Sequence, residues 1–334
     1  MPAPTPSFLQ VEPVGQCNLR CRMCPITHRR EGTPFGPPAF LSFARFTRLV
    51  DEAKGVEELQ LQGLGEPMLH PRFFDMVEYA TRAGIRVSTN TNGTLLGSAR
   101  ALRCVTSGLA ALHLSVDGAS AATYEAIRVR ARFDALLRNL DHLMEARARL
   151  GSDRPRVRIV AVAMRRNLGE LAAIVELAAE HGVGEVFVQH LCHEYGEESL
   201  PERYRPMRAF VARETLLAED PARVEAAFAA ARAAARARGV ALRLPRLAPR
   251  TDTGSRHGRA RCDWPWRGAY LSWDGRTMPC CMVSTPDRIT LGNVFEDGLA
   301  ATFDNAAYRS FRAAIERDDP PEVCRSCAIW AGTF

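Results

Sequence analysis

Cys17, Cys21 and Cys24, in the stretch "QCNLRCRMC", are spaced C-x3-C-x2-C just after the short apolar run "FLQVEPVG". Three thiolates leave a metal one ligand short of the closed four-ligand set of a structural zinc site. Thiolates also ligate iron–sulfur clusters, and an incompletely ligated metal is where a substrate or cofactor enters. The trio therefore points to a cluster with one iron left open. A second set stands near the end of the chain: Cys262, Gly275 after twelve residues, Cys280 after four more with Cys281 beside it, and then Cys324-x2-Cys327. Four thiolates close a site, which suits either structural zinc or a fully ligated cluster. Cys280 and Cys281 compete for one ligand position. Of the ten cysteines only Cys104, in the helical stretch "ARALRCVTSG", and Cys192 stand outside these groups.

Such grouping fits metal or redox chemistry better than disulfides, given the cytoplasmic location expected of a chain without a signal-peptide pattern or a long apolar run. The 334 residues, 46% hydrophobic and 25% charged, are ordinary for a soluble globular protein of about two domains. The formal charge of +6 comes almost wholly from arginine, Lys54 being the one lysine. The basic residues are interleaved with acids along the chain, which favours a solvated surface over a nucleic-acid groove. No nucleic-acid or membrane partner is expected.

The elements that must position these thiols alternate short apolar runs with segments of helical period, the pattern of βα units around a parallel sheet. Six strands are expected, at 8–14, 57–63, 85–90, 111–117, 157–164 and 185–191. Helices are expected between them, for example at 42–54, 71–84 and 168–182. The fold class is α/β, a doubly wound sheet or a partial (β/α)6 barrel. In either form the functional loops gather at the carboxyl ends of the strands. The Cys trio, "GLGEP" (63–67), "STNTNG" (88–93), "SVDG" (115–118) and "QHLCHE" (189–194) all occupy such loops. Residues 1–199 form the expected barrel and 200–254 a helical connector ending in a Pro/Gly/Thr-rich linker. Residues 255–334 form a small metal-stapled module with a hairpin turning at Asp274-Gly275 and a helix at about 297–317.

In these motifs the chain resembles the radical S-adenosylmethionine (SAM) superfamily, whose C-x3-C-x2-C loop holds a 4Fe–4S cluster that chelates SAM. One departure is Met23, where the residue before the third cysteine is usually aromatic; a thioether can still pack against an adenine. The resemblance implies Gly65 and Glu66 beside the SAM amino group, Ser115 and Arg128 at its carboxylate, and Asp117 as a polar contact nearby. It also places Asn90 and Asn92 near the ribose and Val162 along the adenine. "WDGRTMPC", "LGNVFEDG" and the late C-x2-C resemble the auxiliary-cluster modules called SPASM and Twitch. That implies a second 4Fe–4S cluster on Cys262, Cys280, Cys324 and Cys327, with Cys281 as an alternative ligand, a hydrogen donor or a packing residue.

The absence of an amino-terminal peptide-recognition segment suggests a small polar metabolite as substrate: an aminocyclitol, sugar or nucleoside-sugar intermediate of the kind found in antibiotic pathways. Oxidation by dehydrogenation, or decarboxylation, is the expected outcome, with a flavodoxin or ferredoxin as electron donor. His190, His193 and Glu194 are the candidate bases. Epimerisation would need a thiol as hydrogen donor, for which Cys192 and Cys281 are candidates. Peptide modification shares every cluster motif, and a zinc-stapled interaction protein shares only the cysteines.

Overall fold

Strand alternation decides which residues reach the centre of the molecule. A computed structural model describes residues 5–28, 39–191, 195–248 and 262–333. Its strands are β1 (Phe8–Val11), β2 (Glu58–Leu61), β3 (Arg86–Thr91), β4 (Ala111–Ser115), β5 (Arg156–Ala163), β6 (Glu185–His190), β7 (Ala241–Arg243), β8 (Gly268–Leu271) and β9 (Thr277–Met278). They form one sheet in the order β7-β6-β5-β4-β3-β2-β1-β8-β9. All neighbours are parallel except β8 and β9. Between parallel strands run the helices α1 (Phe43–Glu52), α2 (Phe73–Arg82), α3 (Ser98–Thr106), α4 (Ala121–Ile127), α5 (Phe133–Arg149) and α6 (Leu171–Glu180). This is the mixed α/β, partial-barrel architecture expected.

In β2, β4 and β6 one row is apolar and buried: Leu59 and Leu61, Leu112 and Leu114, Val186 and Val188. The alternate row is polar and half-buried, with Gln60 and Gln62, Asn90, His113 and Ser115, and Gln189. The apolar row belongs to the same core as the helices' buried faces. The polar row looks into the curve of the sheet.

All six expected strands are present, with ends displaced by up to three residues. The 200–254 segment contributes α7 (Arg205–Glu214), α8 (Pro221–Arg238) and β7. Asp220 caps α8, its side chain accepting from the Ala222 amide, and Gly239 ends it in the left-handed region at φ 66°. α8 packs on α6, and β7 adds to the open side of the barrel sheet. β7, three residues long, was too short to be legible as a periodic run.

The C-terminal part differs more from expectation. Its hairpin forms as expected, with Gly275 at φ 91°, where a side chain would be strained. But β8 also pairs with β1 in parallel register, Phe8 against Gly268 through Val11 against Leu271, so the module continues the barrel's own sheet. After α9 (Trp264–Arg267) and the hairpin, the single helix expected at about 297–317 is three: α10 (Val294–Asp297), α11 (Leu299–Phe303) and α12 (Ala306–Glu316). Gly298, at φ 83°, and the Asn305 cap interrupt it. α13 (Glu322–Arg325) carries Cys324.

Candidate active site

The cysteine loop is fixed before any ligand is considered. Its backbone is tied to the end of α4, Arg20 N donating to Val129 O at 3.0 Å and Arg22 N to Ile127 O at 3.4 Å. The loop after β2 is tied to it through Glu66 N, which donates to Gln16 O at 2.9 Å. Gly65 is required there, because a Cβ would stand 1.9 Å from the Val14 carbonyl oxygen.

A cavity at the carboxyl ends of β1–β6 is lined by Cys17, Cys21 and Cys24 together with Gly65, Glu66, Asn90, Asn92, Ser115, Arg128, Val162 and His190. Met23 lies on the same wall. The structure thus brings together most of the residues expected around the cofactor, from six loops far apart in sequence. Cys192, His193 and Glu194 lie outside the described residues.

Asp117 is the exception. It is fully buried and does not reach the cavity; its carboxylate pairs with Arg128 Nη2 at 2.8 Å and accepts from the Val162 amide at 2.8 Å. Asp117 therefore positions Arg128 and the end of β5. The guanidinium meets opposing influences: burial works against its charge, but Asp117 and the Cys21 thiol raise its pKa. Arg128 Nε is buried with no hydrogen-bond partner among the described residues. An unsatisfied buried donor of this kind suits an incoming carboxylate.

Glu66 is buried, and burial raises its pKa against three hydrogen bonds that favour the anion. It accepts from Thr91 Oγ1 at 2.7 Å, Asn92 N at 2.8 Å and Met68 N at 3.2 Å. A carboxylate offers about four lone-pair sites, so one remains for an ammonium.

The two asparagines prove to be engaged by the protein. Asn90 Oδ1 accepts from Gln60 Nε2 at 3.2 Å and from His113 Nδ1 at 2.8 Å. Asn92 donates to Asn18 Oδ1 at 2.9 Å and accepts from the Thr94 hydroxyl at 2.7 Å, while Asn18 donates to the same hydroxyl at 2.7 Å. From this ring Asn92 Nδ2 also reaches Cys17 Sγ at 3.7 Å, and Leu19 N donates to that sulfur at 3.4 Å. Asn92 thus orients a thiol. Asn18 and Thr94 were missed from sequence because nothing but adjacency to Cys17 and to the Asn-Gly turn marks them. Burial raises the Cys17 and Cys21 thiol pKa values, and Arg128 opposes this at Cys21. Metal binding would take these thiols as thiolates and release their protons.

His190 lines the cavity, and its Nε2 is hydrogen-bonded to the Arg246 carbonyl oxygen, which only an N–H can satisfy. That leaves Nδ1 as the basic nitrogen.

The second cysteine set rims a small cavity between α9, α12 and α13, where Cys262, Cys280, Cys324 and Cys327 meet Trp264 and Trp330. Cys281 is not on that wall, although burial raises its pKa and Cys327 and Cys262 lie near enough to raise it further. Among the described residues no three Cys, His, Asp or Glu stand close enough together for one metal ion. Burial pushes Cys262 up to about 11 and Cys324 up to about 12, and neighbouring cysteines add to both shifts. Four thiols facing one apolar space, whose thiolates would repel one another without a cation between them, are a donor set that a multi-iron cluster would satisfy. Cys104, wholly buried in α3, is a packing residue. No helix among the described residues is long and apolar enough to cross a membrane.

Comparison with known proteins agrees with this geometry. The profile of the Radical SAM superfamily matches residues 11–178, and that of the SPASM iron-sulfur cluster-binding domain matches residues 262–328. A tungsten-containing aldehyde ferredoxin oxidoreductase cofactor-modifying protein of Pyrococcus furiosus is 26% identical over 187 residues, covering 55% of this chain and 51% of that one. An AdoMet-dependent heme synthase of Methanosarcina barkeri is 32% identical over 180 residues, covering 53% and 48%. The match thus spans about half the length of these relatives. Streptococcus suis SuiB bound to its precursor peptide SuiA shares the fold, with a TM-score of 0.70 at 17% identity over 98% of this chain and 71% of that one. Both profile matches fall on the segments that hold the two cysteine sets: the chain belongs to the Radical SAM superfamily, carries a C-terminal SPASM iron–sulfur domain, and takes SAM and 4Fe–4S clusters as its cofactors.

Proposed function

We propose that this enzyme abstracts hydrogen from a small polar metabolite, an aminocyclitol, sugar or nucleoside-sugar intermediate, and so dehydrogenates or decarboxylates it. Cys17, Cys21 and Cys24 would hold the SAM-binding cluster, and Cys262, Cys280, Cys324 and Cys327 one auxiliary cluster. When bound, these groups supply a 5′-deoxyadenosyl radical and a sink for one electron. The chain's own residues do the rest. Glu66 and Arg128 grip the two charged ends of the SAM amino acid, and Met23 and Val162 supply apolar contact for the adenine. In dehydrogenation the carbinol carbon gives its hydrogen atom to the 5′-deoxyadenosyl radical. His190, through Nδ1, would take the hydroxyl proton that the substrate radical loses as its electron passes to the auxiliary cluster. A flavodoxin or ferredoxin would deliver the reducing electron.

The observation that carries the choice of substrate is the polar inward row beneath the cavity. Gln62, Ser115 and Gln189 of that row line the cavity with hydrogen-bonding side chains, which an apolar substrate would leave unmatched. The test is anaerobic incubation of the reconstituted enzyme with SAM and candidate aminocyclitols and sugars deuterated at the carbinol carbon. Deuterium in 5′-deoxyadenosine, with a ketone or decarboxylated product, is expected. Deuterium transfer only from a peptide, with a cross-linked peptide as product, would replace this reading with the peptide-modifying one that the likeness to SuiB favours.

A further inference from the structure

Beside the C-terminal cysteine set lies a buried charge that the set does not need as a ligand. Arg288 follows the hairpin, and its side chain is 3% exposed; that of its partner Glu197, in the segment after β6, is 1% exposed. Nε and Nη2 of Arg288 grip the two Glu197 oxygens as a fork, Nη2 at 3.0 Å. Nη1 donates to the carbonyls of Met282 and Val283, each at 3.0 Å, and Nη2 lies 3.5 Å from that of Val323. The guanidinium also lies over the Tyr195 ring, 3.8 Å from its centre. Met282 is two residues past Cys280, and Val323 immediately precedes Cys324. One side chain therefore ties both cysteine-bearing segments to the loop beyond β6.

Two buried charges are costly to keep where apolar side chains could pack, so the pair calls for a reason beyond holding the segments. Its orientation supplies one. The guanidinium end faces the cysteine segments through their carbonyls, and the carboxylate end faces the barrel loop. Through the Val323 and Met282 carbonyls the guanidinium is held next to the residue preceding Cys324 and to one two past Cys280, with the Glu197 carboxylate on its other side.

On the reading that the C-terminal cysteines hold a cluster, we infer that Arg288 is a positioning residue that also sets the auxiliary cluster's reduction potential, with Glu197 partly offsetting its charge. A reduced cluster is one charge more negative than an oxidised one. A fixed cation nearby in a low-dielectric interior favours it and raises the potential.

The test is an EPR-monitored redox titration of the full chain in a Cys17→Ala/Cys21→Ala/Cys24→Ala background, so that only the auxiliary cluster reports. Arg288→Gln should move the midpoint to lower potential and Glu197→Gln to higher potential, while Arg288→Lys, which keeps the charge, should stay near the parent. A purely structural clamp gives no such opposite pair. If both Gln variants titrate with the parent, or both move in one direction, the inference is wrong. Should Arg288→Gln fail to retain iron, Glu197→Gln decides alone: a rise supports the inference, and no shift or a fall overturns it. A parent background without any iron–sulfur signal would overturn the auxiliary-cluster reading itself, and the inference with it.

Discussion

Most of the acceptor capacity of Glu66 is taken by Thr91, Asn92 and Met68, so it both shapes the loops after β2 and β3 and has a lone pair left for a ligand. Arg128 is arranged differently, with Asp117 behind it and a bare Nε. Losing a charge-assisted contact at such a site costs about 1.5–3 kcal/mol, or about ten- to a hundred-fold in affinity. Glu66→Gln and Arg128→Lys should weaken SAM binding by that factor while iron content stays the same, as anaerobic equilibrium dialysis would show. Asp117→Asn should weaken it too, although Asp117 does not touch the cavity. Unchanged affinity in all three would remove these residues from the cofactor site. The spare thiols separate oxidation from epimerisation. Cys281 is off the wall of the C-terminal cavity, so Cys281→Ala should keep both clusters and most turnover, and Cys192→Ala likewise if the product is an oxidised metabolite. Loss of turnover in either, with clusters intact and solvent deuterium in the wild-type product, would mean that a thiol returns a hydrogen atom to the substrate.

At the scale of elements, each cysteine set belongs to a different part of the sheet, and the sets should load independently. The Cys17→Ala/Cys21→Ala/Cys24→Ala variant should retain about half the iron of the parent and lose SAM cleavage; iron and sulfide analysis with a 5′-deoxyadenosine assay measures both. The six barrel strands were legible as short apolar runs between segments of helical period, and the site because its motifs follow those strands. What was not legible depended on pairs distant in sequence. Asp117 looks like a ligand residue until Arg128 is seen against it. The Asn18–Thr94–Asn92 ring joins residues more than seventy positions apart. β8 reads as half of a small hairpin because nothing in "GAYL" says that its other edge belongs to β1.

For the molecule as a whole, the polar lumen makes stability depend on pH. His113 is held neutral there, its pKa lowered to about 4 by burial and by Arg158 and Arg156, against Glu185. The unfolded chain, with an ordinary histidine near 6.5, takes up the proton first. This contribution is complete above about pH 6.5 and is lost as pH falls towards 4. Denaturant titrations of the metal-free protein should show a lower midpoint at pH 5 than at pH 7, and His113→Gln should remove part of that slope. An unchanged slope would mean that His113 titrates alike in both states.

The place of β1 between β2 and β8 also has a meaning in time. During synthesis β1 is made well before β8, and β2 soon covers one side of it. Its other side waits for Gly268–Leu271, near the end of the chain. Until then the nascent barrel exposes a strand edge ready to pair with any other chain. A chain ended after Ala248 should keep that edge permanently and sediment as aggregate, where the full chain stays in solution. A segment translated long after β1 thus acts on it as a cover, closing the sheet beside the cysteine loop.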